Sequence, residues 1–513
     1  MNHAVRRTLH ASLLTTLVAA LVAAAACGGG STSGPPDPTP ASSTVELSRD
    51  SAVLITGDTI RLTATVRDAD GQLLGDAPVE WSSSAPAVAT VSGGLVTVLT
   101  QGTTEISATA GGTPAKTTIN AYAGSGMRQP GMESYDRIIP RLMAKWDIPG
   151  GAVAVVKDGK LLFARGYGYA DVDTHQPVQA DALFRIASVS KPITSAAILK
   201  LVEEGKLSFD DHPFAILSDL TAPPGSTEDP RLADITIRHL LEHAGGWDRD
   251  ASGDPMFMSS SIAAALGTEA PAETEDIIRY MRGQPLDFDP GSRYVYSNFG
   301  YAVLGRVIEK ITGQQYEEYV KSTVLAPMGI SRMAIGASLL SGRLDGEVKY
   351  YEEAGNTTSV FPGGGSVPWP YGGFYLEAMD SHGAWVSSTV DLLRFLVHID
   401  PRTAPTPFLS TASTEAMLAR PPAPLWQGSA YWYGMGWLVR PSGDDANWWH
   451  DGSLPGTTTL LVRAYNGLDW VALFNARSSS SSSSFAAELD GSLWDAAAGV
   501  TDWPTEDLFG EYP

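Results

Sequence analysis

Cysteine is almost absent. Cys27 stands alone, which excludes an intramolecular disulfide and any zinc site built on paired thiolates. Clustered basic residues are missing too. Lys and Arg number 35 against 57 Asp and Glu, a formal net charge of −22. A surface of that sign repels phosphate backbones, so nucleic acid is excluded as a partner. No apolar run reaches the ~20 residues that a membrane-spanning helix needs. What remains is an ordinary globular balance, 43% hydrophobic and 18% charged residues, in a chain too long for one typical domain.

The lone cysteine has a telling position. Met1 to His10 carries Arg6 and Arg7 and no acid, an apolar run follows from Ala11 to Ala26, and Cys27 ends it. A basic n-region, a short h-region and small residues before a cut are the layout of a secretory signal over residues 1–27. Ala24-Ala25-Ala26-Cys27 resembles a bacterial lipobox, with Ala24 where Leu is usual. The resemblance implies a lipid on Cys27 and a protein anchored to the membrane surface of the bacterial cell envelope without crossing it.

Residues 28–43 are almost all Gly, Ser, Thr and Pro, a flexible tether. Residues 44–123 are β-rich. Ile60, Leu62, Ala64 and Val66 alternate with polar residues as a half-buried strand. Turn signals fall at Asp70-Gly71, Gly93-Gly94 and Gly111-Gly112. Short strands at this spacing predict a small β-sandwich. The stretches Gly57-Asp58-Thr59, Val79 to Ser84, Val88 to Val91 and Gly94-Leu95-Val96 make the segment resemble the bacterial Ig-like group 2 domain, which implies a spacer or adhesion module.

Residues 127–500 form a larger domain, with 501–513 as a tail. A helix over Tyr135 to Lys145 precedes a hairpin, Gly151 to Val156 and Leu161 to Ala164, turning at Asp158-Gly159. Helical patterns fill the middle. Strands return at Tyr433 to Arg440, Asn447 to Ser453, Thr458 to Val462 and Trp470 to Phe474, and a helix from Phe485 closes the domain. Strands early and late with helices between predict an α+β domain: one antiparallel sheet built from both chain ends, flanked by helices, with an inserted all-helical lobe.

The chemistry starts at Ser188-Val189-Ser190-Lys191, at the head of a helix whose apolar side includes Ile193, Ala196, Ala197 and Leu199. Three residues apart, Ser188 and Lys191 share a face. A serine hydroxyl needs a base beside it, and a lysine whose pKa is lowered by burial or positive potential can serve. Tyr296-Ser297-Asn298 lies in a loop leading into a helix from about Tyr301; a phenol can pass a proton, and an amide can orient both Lys191 and a substrate carbonyl. His450-Asp451-Gly452 ends an alternating strand, and a glycine there lets substrate lie close against the strand edge. The N–H groups of Ser188 and Ser453 are candidates for an oxyanion hole.

These three motifs, in this order, resemble the serine β-lactamase and penicillin-binding superfamily, in particular class C β-lactamases and the Streptomyces-type DD-carboxypeptidase. The third motif is His-Asp-Gly, as in the His-x-Gly carboxypeptidase and esterases, where the β-lactamases have Lys-Thr-Gly. Ile237 to Leu241, Asp289-Pro290-Gly291 and Ser387 to Leu392 agree. The resemblance implies that Ser188 forms an acyl-enzyme, Lys191 is a base, Tyr296 shuttles the proton, and Asn298, His450, Gly452 and Ser453 bind substrate, with no cofactor and no metal. It leaves open whether Lys191 or Tyr296 takes the first proton, and whether a peptide, a small ester or a β-lactam is the substrate. Trp247, Phe299, Trp369, Tyr371, Trp385, Trp448 and Trp449 are candidates for an apolar acyl pocket, and Arg477 for a substrate carboxylate. Two readings compete. His239-Leu240-Leu241-Glu242-His243 fits the inverted zinc-peptidase signature, and a non-catalytic envelope receptor or adhesin would use the same domains.

Overall fold

The computed structural model describes residues 43–403, 406–480 and 483–512. Cys27 and the signal reading lie outside them. The first region is all β. Ser51–Ile55, Ala115–Tyr122, Gly102–Thr109 and Glu80–Ser83 form one sheet, and Thr59–Arg61, Leu95–Val98 and Ala89–Ser92 form another. Leu62, Val96, Val98, Ile106 and Ile119 are buried in its core. The alternation from Ile60 to Val66 is not one strand. It breaks into Thr59–Arg61 and Ala64–Arg67, which belong to different sheets. Leu62 bends across between them, its N–H bonded to Gly94 O at 2.8 Å.

The α+β domain begins with α1, Glu133–Lys145. Then come β1, Gly150–Lys157, β2, Lys160–Asp171, and α2, Ser190–Glu203. The helical lobe includes α3, Asn298–Thr312. The chain returns through β3, Leu438–Ser442, β4, Asp445–Leu454, β5, Thr457–Arg463, and β6, Leu468–Phe474, and closes with α4, Phe485–Ala498. The sheet runs β2-β1-β6-β5-β4-β3, antiparallel throughout, with β1 against β6 joining the two chain ends. The expected strand from Tyr433 to Arg440 is interrupted between Trp432–Tyr433 and β3. There Gly436 takes φ +88°.

Both faces of the sheet are covered, so β1 is apolar at every turn of its pleat. Ala152, Ala154 and Val156 face α2 and the helical lobe. Val153 and Val155 face the other core, where α1 supplies Tyr135 and Ile139 and α4 supplies Leu489 and Leu493. Burial on this scale holds α2 and the edge of β4 in fixed register, and the candidate site forms between them.

Candidate active site

Ser188 lies in a 3-10 turn, Ala187–Val189, that feeds into α2. Ala187 has φ +49°, a left-handed conformation that costs a residue with a Cβ and persists only where its surroundings impose it. The sheet does so. The β3–β4 ladder ends at Leu438 opposite Trp449, whereas β4 continues along β5 to Leu454. The turn packs against that stretch of β4. Thr459 of β5 donates its hydroxyl to Ile186 O at 2.9 Å. A Cβ on Gly452 would stand 2.5 Å from Ile186 O and 3.0 Å from the Ala187 methyl. The absent side chain of Gly452 thus makes room for the nucleophile's own turn and the Thr459 hydroxyl.

Lys191 is fully buried, and its Nζ has three neighbours: Ser188 Oγ at 3.2 Å, Asn298 Oδ1 at 2.8 Å and His382 O at 3.0 Å. Asn298 Nδ2 donates to Asp254 Oδ2 at 2.6 Å. A carboxylate only accepts, so Asp254 fixes the amide with its oxygen toward the lysine. Asn298 Oδ1 and His382 O can likewise only accept. A neutral amine therefore spends both N–H bonds on them and turns its lone pair to the Ser188 hydroxyl. Burial drives the lysine pKa well below its ordinary value; Asp254 and Asp451 oppose this and Arg249 assists it.

Asn298 is the first residue of α3, which starts earlier than the expected Tyr301 because Ser297 caps it, accepting from Gly300 N. Tyr296, just before the cap, lines the cavity with Ser188, and burial raises its phenol pKa well above the usual value. Its ring stands 4.7 Å from Lys191 Nζ and 4.3 Å from the His243 ring. His450 is buried. Its Nδ1 lies 2.6 Å from Asp451 O and its Nε2 3.0 Å from Tyr433 Oη. Burial lowers its pKa to about 4, so at neutral pH Nδ1–H donates to Asp451 O and Nε2 accepts from Tyr433. Both ring nitrogens are engaged within the protein.

Ser188, Tyr296, His450 and Ser453 line a cavity of about 310 Å³, joined by Tyr294, Tyr433, Arg249 and Asp451. Lys191 and Asn298 lie buried beneath it. Tyr433, Arg249, Asp254 and His382 escaped sequence reasoning because they belong to no spaced motif. Tyr294 carried a faint signal, two residues before Tyr296. The proposed acyl-pocket aromatics do not line this cavity; Trp385 and Trp448 are core residues. Arg477 pairs with Glu352 at 2.7 Å.

The zinc spacing dissolves in three dimensions. The short helix Ile237–Leu241 stops before His243, which takes φ +57°. His239 Nδ1 accepts from Thr236 N, Glu242 pairs with Arg238, and His243 Nδ1 accepts from Ser297 N. The two imidazoles therefore do not share a helix face. Among the described residues no His, Cys, Asp and Glu group is arranged to hold a metal ion.

A family model described as beta-lactamase matches residues 135–492, and one described as bacterial Ig-like domain (group 2) matches residues 41–120. Penicillin-binding protein 4* of Bacillus subtilis (strain 168) is 30% identical over 318 residues, 61% of this chain and 65% of its own length, so the chain spans less than two thirds of that relative. The octameric penicillin-binding protein homologue from Pyrococcus abyssi is 26% identical, with a TM-score of 0.52 over 71% of this chain and 76% of its own. D-amino acid amidase from Ochrobactrum anthropi SV3 shares the fold at 22% identity, with a TM-score of 0.55 over 72% of this chain and 98% of its own.

Proposed function

Since this chain belongs to the beta-lactamase family, we propose that it is a serine hydrolase that cleaves an amide or ester through an acyl-enzyme on Ser188. The observation that carries this reading is the lysine's hydrogen bonding: two fixed acceptors leave the Lys191 lone pair for the Ser188 proton. Lys191 takes that proton as Oγ bonds the substrate carbonyl carbon. The carbonyl oxygen gathers negative charge between the N–H groups of Ser188 and Ser453. As the scissile bond breaks, Tyr296 gives its proton to the leaving amine or alcohol and regains one from the lysine ammonium. Water then attacks the acyl carbon, its proton taken by the same pair and passed to Ser188 Oγ as the acyl–Oγ bond breaks. Burial raises the Tyr296 phenol pKa and lowers that of Lys191, which favours the lysine as first base. A peptide amide of the DD-carboxypeptidase type is the first candidate substrate. We also propose that Cys27 carries a lipid that holds the protein at the bacterial cell envelope, a reading supported by the layout of residues 1–27.

The test is turnover of an acyl-D-Ala-D-Ala peptide, a chromogenic ester and a cephalosporin side by side. The expected result is hydrolysis of the peptide or ester, abolished in Ser188→Ala and cut at least ~100-fold in Lys191→Ala. Turnover that survives in Ser188→Ala would reject the mechanism, and a wild-type protein that turns over none of the three would favour the receptor reading.

A further inference from the structure

The cavity at Ser188 does not end at Ser453. Ser453 also lines a second cavity of about 550 Å³, walled by Glu352, Glu353, Trp369 and Arg477. Glu353 and Arg477 continue into a third, of about 300 Å³. That one shares Asp147 and Pro149 with a fourth, of about 310 Å³, whose far wall is Ig-like: Gln101 to Thr103 and Asn120 to Tyr122. We infer that these four cavities are one substrate groove, that the Ig-like domain forms its far end, and that its occupant is an extended peptide bearing amino groups. The inference rests on the Ser188 reading and adds to it a substrate class and a role for the Ig-like domain.

A tethered spacer would leave the two domains independent, and here they are packed together. Ile55 of the Ig-like domain is wholly buried in the core that holds Tyr135 and Tyr167. Arg128 pairs with Asp58 at 2.9 Å and donates to Thr56 O at 2.9 Å. Gly124–Ser125 joins the edge of β2. The far wall of the groove is thereby fixed relative to Ser188, which a long ligand needs if binding energy at one end is to serve chemistry at the other.

The lining selects the ligand. Asp451, Glu353 and Asp147 are spaced along the path from the nucleophile, and among the described residues none has an ion-pair partner. Arg477 is neutralised by Glu352. Arg249 offsets Asp451 in the first cavity, so it is the path beyond Ser453, past Glu353 and Asp147, that presents negative potential and favours a cation.

Binding and turnover together test this. The probe is a fluorescein-labelled hexapeptide with two lysines, against the same peptide with both lysines replaced by glutamate. Fluorescence anisotropy on full-length Ser188→Ala reads binding without turnover. The Lys peptide should bind at least ~10-fold tighter than the Glu peptide, an advantage that fades as salt rises. Glu353→Gln, Asp147→Asn and Asn120→Arg, each added to Ser188→Ala, should each weaken Lys-peptide binding at least about threefold. With Ser188 intact, the same three substitutions should leave kcat/KM for a small chromogenic ester unchanged. Equal affinity for the two peptides, or Lys-peptide affinity indifferent to all three substitutions, overturns the groove. Charge-selective binding by a protein that hydrolyses nothing upholds the groove and rejects the hydrolase reading instead.

Discussion

His450 occupies the position where Lys-Thr-Gly relatives carry a cation. Burial takes its pKa down to about 4, so from pH 5 to pH 8 it is neutral and offers a substrate carboxylate no charge. A matched pair of substrates, one with a free carboxylate and one methylated, should therefore show the same kcat/KM profile across that range. A loss specific to the carboxylate as pH rises through 6 to 7, rescued by His450→Lys, would show that the imidazole is charged when substrate binds. Ser188 with Lys191, and Tyr296 with Asn298, were legible as two local pairs because turn spacing and adjacency fix each; the bond between the pairs, Lys191 Nζ to Asn298 Oδ1, is made only in the fold. The sequence did not hold the task of His450, which hydrogen-bonds Tyr433 and the Asp451 backbone. Tyr433 comes from a strand whose pairing is set only in the sheet. Nor could it settle the first base, because His382 O and Asp254, which decide the lysine's hydrogen bonding, reach it from loops far along the chain.

At the scale of elements, the site is a docking of one turn on one strand. The Ser188 turn leans on β4 through the bare Gly452, and Ala187 is held there at positive φ. Gly452→Ala should push the turn off the strand at a cost of about 1–3 kcal/mol, the usual range for overpacking. Activity should fall about 5- to 150-fold where that cost is borne by the barrier, since each 1.4 kcal/mol there is a factor of ten. Circular dichroism and activity on one preparation check this; a folded variant with full activity would mean that the contact does not set the nucleophile. The strands and long helices were legible because their periodicity is local. The α1 and α4 bounds and the hairpin at Asp158-Gly159 match their expectations to within a few residues. The broken strand at Leu62 was not legible: side-chain alternation continues across a bend that only the two sheets impose. The contact between Gly452 and the Ser188 turn was not legible either, because Ile186 and Ala187 lie far from it in sequence.

For the whole molecule, anchoring and catalysis are separable claims. Wild-type protein should partition with membranes, and Cys27→Ser should release it or leave it unprocessed; an unmodified mature N-terminus elsewhere would contradict the anchor. Neither outcome bears on the chemistry, which is read at Ser188 and the residues that line its cavity. The chemistry is tested most directly by the intact mass of the full chain after exposure to a fluorophosphonate. One adduct per chain, mapped to Ser188 and absent from Ser188→Ala, is the predicted result. An adduct that persists in Ser188→Ala, or a wild-type chain that stays unlabelled while folded, would contradict it.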